Sequence, residues 1–234
     1  LPSVTRAFQT GDSQKLKRTV ETVLRITFLT ALPMGMGLSV LAQPAALLIY
    51  GARPGTVIVG RVLTTLGAAS VFAALCGPLN SILQAMGHVE LPVVLTLIGL
   101  FVKAVLDYTL AAVPRVNVLG GAVGTLVCYA LASVLACIAI RRIAGVKIDF
   151  FSTFKKPFLA SVCCGVAALL THKAWCAVLP ESRFSALPAV FLGALIYVVF
   201  LLIARGICEE DIKALPNGEK ITKRLEKYLQ KTEG

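Results

Sequence analysis

Apolar residues in this chain come in long unbroken runs, with neither strict alternation nor a short repeat. The runs cover about Ile26 to Tyr50, Val62 to Met86, Leu91 to Val113, Val118 to Ile140, Pro157 to Leu179 and Phe184 to Ala204. Each reaches the roughly 20 residues that a helix needs to cross the hydrocarbon core of a bilayer. The pattern therefore predicts an all-α, polytopic transmembrane bundle of six spans. Residues 1–25 differ: Leu16, Val20, Val23 and Leu24 recur at helical spacing among basic side chains, as in an amphipathic lead-in to the membrane. Gly11-Asp12-Ser13 supplies the turn and N-cap for that helix. Within the first span, Pro33, Gly35 and Gly37 predict a kink or a close helix contact.

Three spans carry a distinct face. In the third, Thr96, Gly99, Lys103, Asp107 and Ala111 share one side. A charged residue at mid-bilayer costs about 2.5–3.5 kcal/mol on insertion scales, so Lys103 and Asp107 are expected to avoid lipid. At i and i+4 they partly neutralise each other, either as an internal lock between helices or as the polar lining of a cavity. In the second span, Ser70, Ala73, Gly77, Asn80 and Gln84 form a face that is small at first and polar toward its end, expected to point into the protein. In the fourth, Gly120 and Gly124 make a GxxxG pair, continued by Cys128 and Ala132, a stripe for close helix packing.

Composition agrees with the pattern: 57% of residues are hydrophobic, 15% are charged, and the mean hydropathy is +0.82. A formal net charge of +11 invites a nucleic-acid reading, but no zinc-finger, RNA-recognition or helix-turn-helix pattern interrupts the apolar runs. The positive residues cluster instead: the lead-in, the loop at 141–156 and the tail at 205–234 hold 17 of the 23 Lys and Arg. By the positive-inside rule both termini are expected in the cytoplasm. The seven Cys sit mostly in apolar runs without ligand or disulfide spacing, and His88 and His172 are read as interfacial. In the tail, Ile221, Leu225, Tyr228 and Leu229 lie opposite Lys220, Lys223, Arg224, Lys227 and Lys231, a helix suited to an anionic membrane surface or to solvent.

The segment LPSVTRAFQTGDSQKLKRTVETVLRITFLTALPMGMGLSVLAQPAALLIYG resembles the stage V sporulation protein B branch of the oligosaccharide and polysaccharide flippases, in the multidrug/oligosaccharidyl-lipid/polysaccharide exporter superfamily. The resemblance continues through LNSILQAMGHVELPVV, LIGLFVKAVLDYTLAAVPRVNVLGGAVGTLVCYALAS and EEDIKALPNGEKI, covering essentially the whole chain. It implies a MATE-like fold of two pseudo-symmetric lobes with 12 core helices and two extra ones. Laid on that plan, Leu1-Pro2-Ser3 falls at the end of the eighth helix and the six spans are the ninth to the fourteenth. The expected organisation is then a lead-in (1–25), four C-lobe helices (26–140), a basic cytoplasmic loop (141–156), two additional helices (157–204) and a basic tail helix (205–234). The N-terminal lobe is a partner outside this chain.

The resemblance further implies alternating access, carrying a lipid-linked sugar headgroup across the bacterial cytoplasmic membrane. A pyrophosphate headgroup favours a cationic, hydrated cavity. Lys103, at mid-span, is its first candidate contact, with Asn80 and Gln84 as hydrogen-bonding candidates. Where relatives often have a neutral Asn, this sequence has Asp107, which either cancels Lys103 or couples transport to H+ or Na+; no other cofactor is implied. The alternatives are a cation-coupled multidrug antiporter using Asp107, a membrane enzyme acting on polyprenyl-linked sugars, and a purely structural partner subunit. Against the enzyme stand short outer loops without paired acids, a Ser/His/Asp set or a metal-ligand cluster.

Overall fold

The computed structural model describes residues 2–113, 118–145, 150–178 and 191–197, and all regular structure among them is helical. In chain order the helices are α1 (Pro2–Gln9), α2 (Ser13–Val40), α3 (Ala42–Tyr50), α4 (Thr56–Ala85), α5 (Glu90–Ala111), α6 (Val118–Ala144) and α7 (Phe150–Val178). Helices α2, α4, α5 and α6 are long and apolar enough to cross a membrane, and α7 contains the shorter apolar stretch Pro157–Thr171. Of the expected sixth span only 191–197 is described, and it is helical; the expected tail helix lies outside the described residues.

The lead-in is not separate from the first span. Asp12 caps α2 by accepting a hydrogen bond from the Lys15 amide at 3.0 Å, and Gly11 turns the chain at φ 67°. From there α2 runs unbroken through Pro33 to Val40. The interruption comes at Leu41, past the expected breakers. Its cause is Pro44, which has no N–H to offer the Val40 carbonyl, whereas Leu41 still bonds Gly37 at 2.9 Å and Ala45 bonds Leu41 at 2.8 Å.

The other helices outrun their apolar cores. Helix α4 starts at Thr56, so Arg61, expected in a loop, is an exposed helical residue. Helix α6 continues to Ala144 with Arg141 and Arg142 in its last turn, where cations complement the helix dipole. Helix α7 starts at Phe150, inside the segment expected as a loop.

Side by side, the order is α7, α2, α4, α6, α5, with α3 resting on α4. At one end α1, the first half of α2, the last turns of α4 and the end of α6 share a core that includes Val20, Leu24, Leu79, Ile82, Leu83 and Ile140. The apolar stripe of the lead-in thus packs on α4. Further along, α2 and α4 cross at glycines: a Cβ on Gly35 would meet the Gly67 carbonyl and Val71, and one on Gly67 would meet Ser39. Of the three breakers in the first span, Gly35 makes the close contact and Gly37 has open space.

Candidate functional site

Helix α5 is held on one narrow side. Pro92 and Gly99 are buried, Lys103 and Asp107 half-buried, and most of the remaining circumference is exposed. That side lies on the small stripe of α6. A Cβ on Gly99 would meet the Cys128 carbonyl at 2.9 Å, and one on Gly120 would meet Leu110 Cβ at 2.8 Å. At Gly124 a Cβ would fall on the Asp107 carboxylate and touch the Lys103 stem. The stripe is therefore the trough in which the charged face of α5 sits.

Within the trough, Lys103 Nζ donates to Asp107 Oδ2 at 2.5 Å. The other carboxylate oxygen, Asp107 Oδ1, is buried and has no hydrogen-bond partner among the described residues. The two side chains nonetheless stay 27% and 35% exposed. A charge at that depth in a membrane helix is not stable against hydrocarbon, so the open side of the pair calls for water, protein or a polar ligand. Chemically, the site offers an ammonium with N–H donors to spare and a carboxylate oxygen that can accept a hydrogen bond.

Asn80 and Gln84 are not part of this trough. They sit on α4, whose main neighbours are α2, α3 and α6 rather than α5. Asn80 is half-buried while Gln84 and Gly77 are exposed, so the face expected to point inward is not packed by the described helices. The large apolar side chains Leu75, Leu79, Ile82 and Leu83 take the packed side instead, where they make the van der Waals contacts that hold membrane helices together. Thr96 and Ala111 are likewise exposed, which leaves Gly99, Lys103 and Asp107 of that expected face against α6. No group of His, Cys, Asp and Glu suited to a metal ion occurs among the described residues. His88 is exposed in the turn between α4 and α5; the side chain of His172 lies outside the described residues.

Two polar ties were not foreseen from sequence. Pro33 cannot donate to the Leu29 carbonyl, and the Tyr197 hydroxyl donates to it instead at 2.5 Å. The Ser133 hydroxyl on α6 donates to the Tyr129 carbonyl of its own helix at 2.7 Å and shares that hydrogen with the Phe72 carbonyl of α4 at 3.1 Å, with Cys76 Sγ at 3.3 Å. A proline inside an apolar helix does signal an orphaned carbonyl four residues back. Which distant hydroxyl answers it is not written locally.

Among the described residues the architecture is that of an all-helical, multi-pass membrane protein with a paired charge in one crossing helix and a glycine trough behind it. Comparison with known proteins makes this specific: residues 1–198 match the family described as lipid II flippase MurJ, and the chain belongs to that family. It is 22% identical to "Uncharacterized membrane protein YabM" of Bacillus subtilis (strain 168) over 242 residues, 98% of this chain and 43% of that protein. It is 23% identical to stage V sporulation protein B of the same strain over 222 residues, 92% of this chain and 40% of that protein. The chain thus spans about two fifths of the length of these relatives.

Proposed function

We propose that this chain forms the C-terminal lobe of a flippase that carries a lipid-linked oligosaccharide, or a peptidoglycan or polysaccharide precursor, across the cytoplasmic membrane by alternating access. Membership of the lipid II flippase family supports the substrate class. The observation that supports a site in this lobe is the Lys103–Asp107 pair, held at mid-span yet about a third open. The working transporter needs the N-terminal lobe, which faces the polar surfaces left uncovered here. It moves its cargo without making or breaking covalent bonds. Both termini face the cytoplasm, in keeping with the clustered Lys and Arg.

In this mechanism Lys103 meets the anionic headgroup. With Asp107 ionised the pair is neutral and attracts an anion weakly; when Asp107 takes up a proton or a cation, the ammonium is freed for the phosphate. The unpartnered Asp107 Oδ1 favours such coupling. Asn80 and Gln84 line the headgroup's path from α4. The test uses full-length transporter. Lys103→Ala is expected to lower flipping by about tenfold or more, the worth of one charge-assisted hydrogen bond, while membrane insertion stays normal. The double variant Lys103→Ala/Asp107→Ala removes both charges and any lock they form. It is expected to stay as impaired as Lys103→Ala, and recovery of wild-type transport would reduce the pair to a packing device.

A further inference from the structure

Away from the charged pair, the structure contains a cavity of about 630 Å³ on the other side of α4 and α6. Its floor is α2 and α4, with Leu32, Gly35, Val71 and Leu75; its walls are Val134 and Ile138 of α6 and Phe158 of α7. The glycine crossing of α2 and α4 lowers the floor, since Gly35 brings the two backbones together where a larger side chain would fill the space. Among the described lining residues none is acidic and Arg141, in the last turn of α6, is the single charged one. Arg142 follows it in the same last turn of α6, so that end of the groove is basic.

The dimensions select among hydrocarbon ligands. The groove follows α2 from Phe28 to Ser39, which at 1.5 Å per residue is about 16 Å. That is about half of the roughly 30 Å hydrocarbon core, the depth of one leaflet. A headgroup at Arg141 would place its chain along this length and end it near Ser39. A polyprenyl chain, much longer than one leaflet, would overrun it.

We propose that this groove is a binding site for one acyl chain of an anionic phospholipid, whose phosphate pairs with Arg141 at the basic end of the bundle. The site is separate from the Lys103–Asp107 trough and serves a resident lipid rather than transported cargo. Basic pockets between membrane helices hold anionic headgroups in this way.

The test is lipid retention by the delipidated full-length transporter, read by native mass spectrometry after adding phosphatidylglycerol, phosphatidylethanolamine or a polyprenyl phosphate. One tightly held phosphatidylglycerol is expected, with phosphatidylethanolamine about fivefold weaker, because its ammonium offsets the phosphate charge and is repelled by Arg141. Arg141→Gln should erase that preference and Arg141→Lys should restore it. Ala68→Phe, which fills the floor, should lose the lipid; thermal unfolding in detergent separates this loss from misfolding, and the Arg141 variants carry the test if Ala68→Phe fails to fold. Equal retention of both phospholipids, or an Arg141→Gln protein that keeps its preference, would overturn the proposal. So would a polyprenyl phosphate that displaces phosphatidylglycerol one for one, because the groove would then belong to the cargo.

Discussion

At the residue scale, one side chain depends on a partner far away in sequence. Tyr197 supplies the donor that Pro33 removed from α2, bonding Leu29 across 168 positions. In an apolar setting an orphaned carbonyl is costly, and polar contacts between membrane helices are worth about 0.6 kcal/mol on average and up to about 1.7. Tyr197→Phe is therefore expected to lower unfolding stability by about 1 kcal/mol. In a Pro33→Ala background the helix regains its own N–H, and the same Tyr197→Phe change should cost close to nothing. Equal losses in both backgrounds would show that Tyr197 acts through its ring packing on Ala160 and Cys164 rather than through Leu29. Gly124 poses the opposite case, where the absence of a side chain matters. Gly124→Val would push against the Asp107 carboxylate and the Lys103 stem, and overpacking of this kind typically costs about 1–3 kcal/mol. A thermal-shift measurement in detergent checks it, with Gly121→Val as the control, since nothing lies near a Cβ there.

For the elements, the informative contrast is between α4 and α5. Helix α4 is gripped by α2, α3 and α6, whereas α5 depends mainly on α6 through a narrow seam. The seam is antiparallel, with Leu110 beside Gly120 and Gly99 beside Cys128. Cysteines at 110 and 120, in Leu110→Cys/Gly120→Cys, start from a Cβ separation of 2.8 Å and need only relax to the roughly 3.8 Å of a disulfide. Mild oxidation should cross-link them within one chain, seen as a mobility shift on a non-reducing gel after a protease cut between α5 and α6. Absence of the link under conditions that oxidise a surface cysteine pair would contradict the register. The GxxxG stripe made a packing face legible in the sequence, and Lys103 and Asp107 marked a face of α5 that had to avoid lipid. That these two faces meet was not legible, because one helix's small stripe can accept many partners. The polar end of α4 misled for a related reason: polarity says that a face avoids lipid, not whether protein, water or a second lobe covers it.

Whole-molecule topology follows from alternation. The start of α2, the turn after α4 and the end of α6 lie together, since α1, α2, α4 and α6 share one core there. If the basic clusters mark the cytoplasmic side, His88→Cys should resist a membrane-impermeant maleimide in intact cells, while Gly55→Cys, at the opposite end of α4, should label. Both should label once the membrane is permeabilised. The reverse pattern would invert the orientation and with it the direction in which the trough is loaded.

By itself the sequence determined what is written locally or additively. Runs of apolar residues set the crossing helices, Asp12 set the start of α2, clustered cations set the expected orientation, and linked motifs pointed to the flippase family. Helix ends were less legible, because helices continue beyond their apolar cores and Pro44 acts through a hydrogen bond it cannot make. Tertiary structure decided which faces pair: Asp107 over Gly124, Tyr197 on the carbonyl that Pro33 orphans, and an apolar groove with Arg141 at one end. The physical reason is that a side chain's value in a membrane depends on what covers it. Burial, charge compensation and carbonyl satisfaction are properties of two or more helices at once.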